Sequence, residues 1–458
     1  MPGQISDMNI EAQIIETLAV HITDRSARGI ATTVEKFIRD GVLTPGTRMP
    51  TVRRIAERIG VSAATVSAAW TVLRQEQLLR TDRRRGTIVD DPLQSQAKRS
   101  FPGWESVPLA LALPDARLLP PVDAAFSASA KSARAFGNDN LHVTSHLRSA
   151  IENTWPYRAE RFAVANGGYE GTLLALRAIV QPGTPVAVEQ PTAPRILETL
   201  RAVKATPIAV QCDSEGPMPD AVSAALDRRP SVLIYQPRAQ IPSGCTVSAR
   251  RVHALAEIIR QARHPMAVLE DDNVGPAAGK IHESIGTILP EHTIVVRSYC
   301  KTYGIDLRTC VISGPVSFIR RIHRLQALSM IDTSRILQNA LAYLLRDPAT
   351  EQRLDTARAR YRQRRVALAT QLTQHGVSVA EGAGLALWVS VADERIAMNS
   401  LLRRRIMVGR GSECTIGGND TTHLQVATAA LPDDLGLIDD LARAIAAAAL
   451  PARVPAAG

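Results

Sequence analysis

Residues 51–79 carry the pattern of two short helices joined by a tight turn. Thr51 is a suitable N-cap for a helix through VRRIAERI, and Gly60 is placed to end that helix. Ser62 then caps a second helix, which is predicted over AATVSAAWTVLRQEQLL. Two capped helices with a glycine between them predict a helix-turn-helix. At 458 residues the chain is long enough to hold at least one further domain.

A basic hairpin follows the second helix. Arg80–Thr81 and Thr87–Val89 are predicted as two short strands around a turn that contains Asp82, three arginines and Gly86. Between residues 25 and 85 the chain has 13 Lys or Arg and 5 Asp or Glu, which gives +8 of the +10 that the whole chain carries. Such a concentration of positive charge favours contact with nucleic acid.

In a winged helix-turn-helix, the N-terminal residues of the second helix contact base edges in the major groove. Small polar side chains approach bases closely there, and Thr65 suits a thymine methyl. Arginines near the first helix and in the wing are placed for phosphates, which give affinity without sequence information. A protein-interaction module with a solvated basic face is the alternative, and the turn, caps, wing and charge together disfavour it. The predicted DNA-binding residues are Ser62, Ala63, Ala64, Thr65 and Ser67 for bases, and Arg48, Arg53, Arg54, Arg83, Arg84 and Arg85 for phosphates.

Residues 26–90 resemble the winged helix-turn-helix of GntR-type bacterial regulators. The PGTRMPT segment, followed by a G-V-S-x-x-T-V helix and a glycine-containing wing, carries the resemblance. It implies a small α+β domain that binds double-stranded operator DNA. Residues 1–25 are predicted as a helical N-terminal extension, and the polar, proline-containing residues 91–108 as a flexible linker.

From residue 109 to the C-terminus at 458, apolar strand-like runs alternate with helical segments. Predicted strands include Phe162–Ala165, Pro185–Val188 and Met266–Leu269, each followed by a turn or a helix. Strand–helix alternation over this length predicts a mostly parallel α/β sheet in one large domain. Ligands of such sheets bind at the carboxyl ends of the strands.

Chemistry-bearing residues follow several of these strands. Thr293–Val296 is a β-branched run predicted as a buried strand, and a short polar turn after it carries Lys301, with Arg308 seven residues later. This arrangement suits a Schiff-base lysine beside a bound phosphate. For a lone lysine, a surface loop with two solvated cations is the better explanation, so the rest of the chain decides between the two. The glycine turn at 166–169 offers free N–H groups for a phosphate, and Glu270–Asn273 offers a carboxylate for a pyridine nitrogen.

The region after residue 109 resembles the fold-type I aminotransferase-like domain. A GntR-type winged helix followed by such a domain is the arrangement of the MocR subfamily of regulators, so the resemblance covers nearly the whole chain. It implies a homodimer and a site for pyridoxal 5'-phosphate (PLP). By position, Lys301 in Y-C-K-T matches the Schiff-base lysine, Asp271 in E-D-D-N matches the aspartate that pairs with the pyridine nitrogen, and Arg308 matches the arginine near the phosphate. Gly168 and Tyr169 fall at the phosphate-holding turn.

Four positions depart from the pattern of that domain. The ring-stacking aromatic falls at Ala193, the tyrosine of E-D-D-Y is Asn273, the asparagine of N-P-x-G falls at or near Ile241, and the arginine for a substrate carboxylate is Gln425. The lost aromatic contact removes about 1 kcal/mol, which a covalent attachment tolerates. The exchange of Arg for Gln removes a bidentate, charge-assisted grip on a carboxylate. PLP binding is therefore expected, with Asn273 contributing its amide, whereas turnover of an ordinary amino acid is not.

We expect a DNA-binding transcription regulator whose large domain senses PLP, or a ligand in the same cleft, and repositions the DNA-binding domain. Two alternatives stay open: a regulator whose cleft no longer binds the cofactor, and an active PLP-dependent aminotransferase with an appended DNA-binding domain. Five cysteines without C-x-x-C spacing disfavour a disulfide framework and a zinc site, and they fit a reducing cytoplasm. No apolar run reaches the ~18 residues of a membrane span, so no membrane contact is expected.

Overall fold

A computed structural model describes residues 4–40, 42–44, 46–76, 78–82, 86–89, 101–132, 142–279, 281–329 and 333–450. By contacts between Cα atoms, the chain divides into two compact units. The first unit holds Met1–Pro102 with Pro432–Asp434, and the second holds Gly103–Leu431 with Leu435–Gly458. No helix of the described residues is both long enough and apolar enough to cross a membrane.

The described residues of the first unit form four helices and an antiparallel hairpin, in which Leu79 pairs with Val89. The predicted caps are confirmed. Thr51 Oγ1 accepts from the Arg54 amide at 3.4 Å, and Gly60 ends the helix in the left-handed region. The second helix of the motif ends at Gln75, four residues earlier than predicted, because the chain then turns into the hairpin. The elements are α1 (Gln4–His21), α2 (Ala27–Arg39), α3 (Val52–Ile59), α4 (Ala63–Gln75), β1 (Leu79–Asp82) and β2 (Gly86–Val89).

Helix α1 is part of the core of this unit. Leu18 is fully buried together with Ile30, Ile55 and Trp70, so apolar side chains of α1, α2, α3 and α4 share one cluster. Arg58 also pairs with Glu16 through two hydrogen bonds, at 2.8 and 2.6 Å, but both side chains are solvent-exposed and such pairs contribute little to stability. Burial of apolar surface therefore holds α1 in place.

The second unit is built around an eight-stranded sheet of order β3-β10-β9-β8-β7-β4-β5-β6. Its first helices and strands are α5 (Asp123–Ser132), α6 (Ser145–Glu152), β3 (Arg161–Ala165), α7 (Gly168–Ile179), β4 (Pro185–Gln190), α8 (Pro194–Ala202), β5 (Thr206–Asp213), β6 (Gly216–Pro217), α9 (Pro219–Leu226), β7 (Val232–Tyr235) and α10 (Ala249–Arg260). They continue with β8 (Ala267–Asp272), β9 (Thr293–Ser298), α11 (Cys300–Tyr303), β10 (Cys310–Gly314), α12 (Val316–Ser329), α13 (Arg335–Arg346) and α14 (Pro348–Gln374).

The central strands β5, β4, β7, β8 and β9 pair in parallel, and β10 runs antiparallel to both β9 and β3. The sheet is therefore mostly parallel, as predicted. Every residue of β9 is buried, because Ile294 and Val296 pack into the apolar cluster on one face while Val295 packs on the other. A β-branched run suits this environment, which explains why the sequence indicated a buried strand here.

A smaller antiparallel sheet of order β11-β13-β12 forms a second apolar core with α14 and the last helices. Its elements are β11 (Ala386–Ser390), α15 (Glu394–Leu402), β12 (Gly409–Arg410), β13 (His423–Ala427) and α16 (Leu435–Ala449). Trp104 and Val107, which belong to the predicted linker, pack against this core. Residues 91–100 of that linker lie outside the described residues.

Candidate ligand cleft and DNA-contacting surface

A cavity of about 500 Å³ lies in the second unit where several strands end, a size typical of sites for small ligands. Its wall includes Ser298 at the end of β9 and Gly167 in the turn after β3. All six residues that the sequence predicted for the cofactor line it: Gly168, Tyr169, Asp271, Asn273, Lys301 and Arg308. The six residues that were predicted from separate motifs therefore line the same cavity.

Strand β8 ends with three consecutive acidic residues, whose side chains lie on different faces of the sheet. It runs through Asp272, three residues further than predicted, so Glu270, Asp271 and Asp272 alternate between the two faces of the sheet. Glu270 accepts from Tyr235 Oη at 2.7 Å, and Asp272 is paired with two arginines on the same side. Of these three acids, only Asp271 lines the cavity.

The Asp271 carboxyl is 2% exposed. Burial raises its pKa to about 6, and the nearby Lys301 ammonium acts in the opposite direction. Thr172 Oγ1 lies within 3.4 Å of Asp271 Oδ1. A buried carboxylate with few partners is suited to a cationic or protonated nitrogen of a ligand.

Lys301 lies on the single-turn helix α11 rather than in an irregular polar turn, which corrects the prediction. Its Nζ donates to Asn273 Oδ1 at 2.6 Å. Burial lowers the pKa of Lys301 to about 8, and the Asp271 carboxylate opposes this effect. An appreciable fraction of the amine is therefore neutral, and thus nucleophilic, near neutral pH.

The turn between β3 and α7 leaves the first amides of α7 without a side-chain cap. Gly167, with φ of +98°, is the N-cap residue and provides no capping side chain for the first amides of α7. A Cβ atom on Gly167 would lie 3.5 Å from Cys300 Sγ and 4.0 Å from Arg308 Nη2, while one on Gly168 would lie 2.9 Å from Ser298 Cβ. The positive φ at Gly167 and the close approach of Ser298 at Gly168 both favour glycine. A helix N-terminus beside a guanidinium is chemically suited to a phosphate.

The residues that depart from the aminotransferase pattern line the same cavity. Ala193 and Ile241 are buried and present only apolar atoms. Gln425 is buried and donates from Nε2 to the Ala110 carbonyl at 3.2 Å, so its amide is engaged by the backbone. Neither a ring-stacking aromatic at 193 nor a cation at 425 is present in this cleft.

One lining residue was missed by the sequence analysis. Arg195, in the first turn of α8, places its guanidinium carbon 5.0 Å from the centroid of the Tyr169 ring. It also contributes to the lowered pKa of Lys301. No motif marks Arg195, because the contact depends on the packing of α7 beside α8.

The predicted DNA-contacting residues of the first unit lie on its surface where they are described. The Thr65 side chain is partly buried, and its hydroxyl lies 2.8 Å from that of Ser62. Arg54 pairs with Glu11 at 2.9 Å. The wing arginines Arg83, Arg84 and Arg85 lie outside the described residues. The side chains of Arg48, Arg53, Ala63, Ala64 and Ser67 are exposed.

A winged helix-turn-helix unit and an α/β unit with a lysine-containing cleft define a two-domain regulator with an aminotransferase-like domain. Residues 26–89 match the family of bacterial regulatory proteins described as gntR, and residues 113–445 match aminotransferase class I and II. The chain belongs to the aminotransferase class I and II family and, through its GntR domain, is a DNA-binding transcription regulator of the MocR subfamily. The predicted fold class is thereby confirmed.

Relatives with the same two-part arrangement are regulators by name. The chain is 28% identical over 373 residues to the vitamin B6 salvage pathway transcriptional repressor PtsJ of Salmonella typhimurium, covering 80% of this chain and 86% of PtsJ. It is 25% identical over 350 residues to the pyridoxine biosynthesis transcriptional regulator PdxR of Corynebacterium glutamicum, covering 72% and 75% of the two chains.

Solved structures support the fold of the second unit. The α-aminoadipate aminotransferase LysN of Thermus thermophilus, complexed with N-(5'-phosphopyridoxyl)-L-leucine, superposes with a TM-score of 0.66 at 20% identity, over 74% of this chain and 91% of LysN. The kynurenine aminotransferase of Pyrococcus horikoshii gives a TM-score of 0.65 at 17% identity, over 74% and 90%. At these identities the similarity shows a shared fold and nothing about substrates.

Proposed function

We propose that the second unit of this regulator binds PLP in the cleft around Lys301 and serves as a sensor rather than as an aminotransferase. The observation that carries the proposal is the pairing of two groups in one cavity: a lysine whose pKa is lowered to about 8 and a buried, cavity-facing aspartate. Groups with shifted pKa values in a cleft are characteristic of functional sites.

The residues of the cleft fit PLP group by group. When bound, PLP supplies an aldehyde that condenses with a neutral lysine amine and releases water. Lys301 would provide that amine, and the Asp271 carboxylate would hold the pyridine nitrogen. The amides of Gly168 and Tyr169, together with Arg308, would hold the phosphate. Arg308 Nη2 already lies within 3.4 Å of the Asn166 carbonyl, which holds the guanidinium beside these amides.

The same cleft lacks groups that turnover of an amino acid needs. Gln425 provides no charge for a substrate carboxylate, and Ala193 provides no aromatic face. Asn273 accepts from Lys301 where a tyrosine hydroxyl would act on the cofactor. Catalysis requires groups that are oriented for the transition state, whereas sensing requires binding alone. These features support a sensor.

We further propose that the regulator acts as a cytoplasmic homodimer on operator DNA, because two-fold symmetric dimers match two operator half-sites. Sensing then requires that PLP binds one arrangement of the dimer more tightly than another. The residues proposed for DNA contact are Arg48, Arg53, Arg54, Ser62, Ala63, Thr65, Ser67, Arg83, Arg84 and Arg85.

Titration of the full-length chain with PLP tests the cofactor assignment. We expect the visible absorbance of lysine-bound PLP in the wild type and in Lys131→Ala, a control at an exposed lysine of α5. Lys301→Ala should lack that band, and borohydride reduction should fix the added mass on the Lys301 peptide of the wild type and of Lys131→Ala. Equal binding by Lys301→Ala would refute the site, and absence of the band in the wild type would favour a cleft that no longer binds the cofactor.

Two further measurements separate the remaining alternatives. Amino acids added to the PLP-bound protein should leave its absorbance unchanged, whereas conversion of the band with release of a keto acid would reveal an aminotransferase. Affinity for the DNA beside the gene should fall steeply with salt and should change when PLP is added. Equal affinity for unrelated DNA would leave only non-specific binding.

A further inference from the structure

The outward side of α15 carries exposed apolar side chains. Ala397 and Leu401 pack into the apolar core beneath this helix, so the opposite side of the helix faces solvent. On that side Ile396 is 59% exposed and Leu402 is 47% exposed, and Met407, in the turn that follows the helix, is 52% exposed. Single exposed apolar residues are ordinary, whereas three that lie so close along the chain indicate an interaction surface.

The same segment is strongly basic. Residues 395–407 contain four arginines and no lysine, aspartate or glutamate, and all four arginines are exposed: Arg395, Arg403, Arg404 and Arg405. Among the residues that the structure describes, their one ion pair joins Arg405 to Glu105, at 3.3 Å. Surfaces that bind other proteins are rich in Arg and Met and poor in Lys, Asp and Glu, which is the composition of this segment.

The two acids at the start of α15 are held by local donors. Glu394 is buried and accepts from the amide and the hydroxyl of Ser412, at 2.7 and 2.8 Å. Asp393 caps the helix, accepting from the Ile396 amide at 2.8 Å. Neither carboxylate forms an ion pair with an arginine of residues 395–407 in the described part of the chain, so the outward surface keeps its positive charge.

Arg405 occupies a backbone position that favours glycine. Its φ is +58°, and the helix ends there with bonds from the Arg405 amide to the Leu402 carbonyl and from the Ile406 amide to the Leu401 carbonyl. Glycine usually occupies such a helix end, because the left-handed region disfavours a side chain. The exposed ion pair with Glu105 contributes little to stability, so a long cationic side chain here indicates a role outside the fold.

We propose that α15 and the turn after it, residues 395–407, form a docking surface for an acidic, amphipathic helix of a partner protein. An apolar stripe on that helix would cover Ile396 and Leu402. Carboxylates beside the stripe would face the arginines, as charged residues flank the apolar seam of a coiled coil. The nine residues of α15 span about 13 Å, which matches two to three turns of a partner helix.

Other occupants fit this surface less well. Phosphates of DNA would pair with the arginines but would leave Ile396, Leu402 and Met407 without apolar contacts. A second copy of the chain, docked about a two-fold axis through this surface, would place like charges against each other. A membrane surface is bound by a wider apolar face than these side chains provide, one rich in Trp, Phe and Leu.

Fluorescence anisotropy with the full-length chain tests the chemistry of the partner. The probe is a labelled helical peptide of about 15 residues in which a leucine stripe is flanked by glutamates. One control peptide has lysine in place of each glutamate, and a second has serine in place of each leucine. We expect the acidic, amphipathic peptide to bind about tenfold more tightly than either control, because both parts of the surface contribute.

Variants of the chain test the site. Ile396→Ser and Arg403→Glu should each weaken binding of the acidic peptide about tenfold. Val366→Ser and Arg353→Glu, which change an exposed valine and an exposed arginine of α14, are the matched controls and should bind as the wild type does. Arg405→Gly should raise the midpoint of thermal unfolding and still weaken binding. A purely structural role of Arg405 would not separate these two effects.

Photocrosslinking identifies the class of occupant in cells. A benzophenone side chain at Asn399, which is exposed on the same helix, should join the chain to a segment whose sequence is acidic and amphipathic, and Arg403→Glu should abolish that adduct. An adduct with DNA, lipid or a second copy of the chain would overturn the proposal, and so would the absence of any adduct. Equal affinity for the three peptides, or equal losses in the α14 controls, would overturn it as well. None of these measurements depends on PLP.

Discussion

Lys301 is held by an amide: its Nζ donates to Asn273 Oδ1 at 2.6 Å. An amide oxygen gives a hydrogen bond without a compensating charge, so the cost of burial prevails and the pKa of the lysine falls to about 8. A charge introduced at position 273 should therefore change how much of the amine is neutral.

Asn273→Asp should raise the pKa of Lys301, because a carboxylate beside the ammonium stabilises its charged form by about one to three pKa units. The neutral fraction at pH 7.5 then falls, and the pH midpoint of PLP attachment moves upwards by a similar amount. Absorbance titrations between pH 6 and 10 measure that midpoint. Asn273→Ala, which adds no charge, should leave the midpoint near that of the wild type, and an unshifted Asn273→Asp would contradict the argument.

The affinity for PLP should rise with pH between the pKa of Asp271 and the pKa of Lys301. Burial raises the pKa of Asp271 to about 6, and burial lowers the pKa of Lys301 to about 8. PLP attachment requires the ionised carboxylate and the neutral amine, so both groups must lose a proton. The affinity for PLP should therefore increase about tenfold per pH unit between the pKa of Asp271, about 6, and that of Lys301, about 8. As the pH decreases below the pKa of Asp271, the affinity should fall more steeply. Above the pKa of Lys301, it should level off.

Spectroscopic titration of PLP at fixed pH values measures this profile. Asp271→Asn should remove the lower inflection and leave the upper one, because the amide does not titrate. A flat profile in the wild type would show that neither group controls attachment.

Adjacent residues Asp271 and Asp272 should respond to the same substitution with opposite signs. The pKa of Asp271 in the folded protein, about 6, lies above its ordinary value, so the ionised carboxyl destabilises the folded state. The free energy of unfolding of the protein should therefore decrease as the pH rises from about 4 to 6. Above this window, Asp271→Asn should stabilise the PLP-free protein by about 1–3 kcal/mol. It should still weaken PLP binding.

Asp272 provides the control on the opposite face of β8. Its carboxylate pairs with Arg238 at 2.8 Å and Arg297 at 2.6 Å, and these guanidinium groups hold its pKa well below the usual range against the cost of burial. Asp272→Asn leaves two buried arginines without a counter-charge and should cost about 3–5 kcal/mol. Urea unfolding at pH 7.5 compares the two variants, and changes of the same sign would refute the assignment of the faces.

The caps and the cavity could be predicted from the sequence alone, whereas the separate roles of these two aspartates could not. The caps Thr51, Gly60 and Ser62 were predicted because capping depends on neighbours within one turn of helix. The cavity around Lys301 was predicted because strands of an α/β sheet bring their carboxyl ends together. The separate roles of Asp271 and Asp272 required the true length of β8, which sets the face that each side chain occupies.

Contacts between segments that are distant in the chain could not be predicted from the sequence. The contact of Tyr169 with Arg195 depends on the packing of α7 and α8, and no pattern in the sequence marks Arg195. The small sheet β11-β13-β12 joins strands from separated segments, and residues Gly409–Arg410 are too short a strand to be indicated by periodicity. Tertiary packing decides such elements, and local preference contributes little to them.

Two serines at the start of α4, both proposed for DNA contact, should differ in their effects on stability. Ser62 Oγ accepts from the Thr65 amide at 3.0 Å and caps the helix, whereas Ser67 is exposed one turn further on. Ser62→Ala should therefore destabilise the first unit by about 1 kcal/mol, the usual cost of a lost N-cap. Ser67→Ala should leave stability within about 0.5 kcal/mol and should reduce the preference for operator over unrelated DNA, since a base contact carries about 1–3 kcal/mol of discrimination. Thermal unfolding and competition binding at fixed salt measure the two effects. If Ser67→Ala bound operator and unrelated DNA with wild-type affinities, the N-terminal half of α4 would not be the surface that recognises bases.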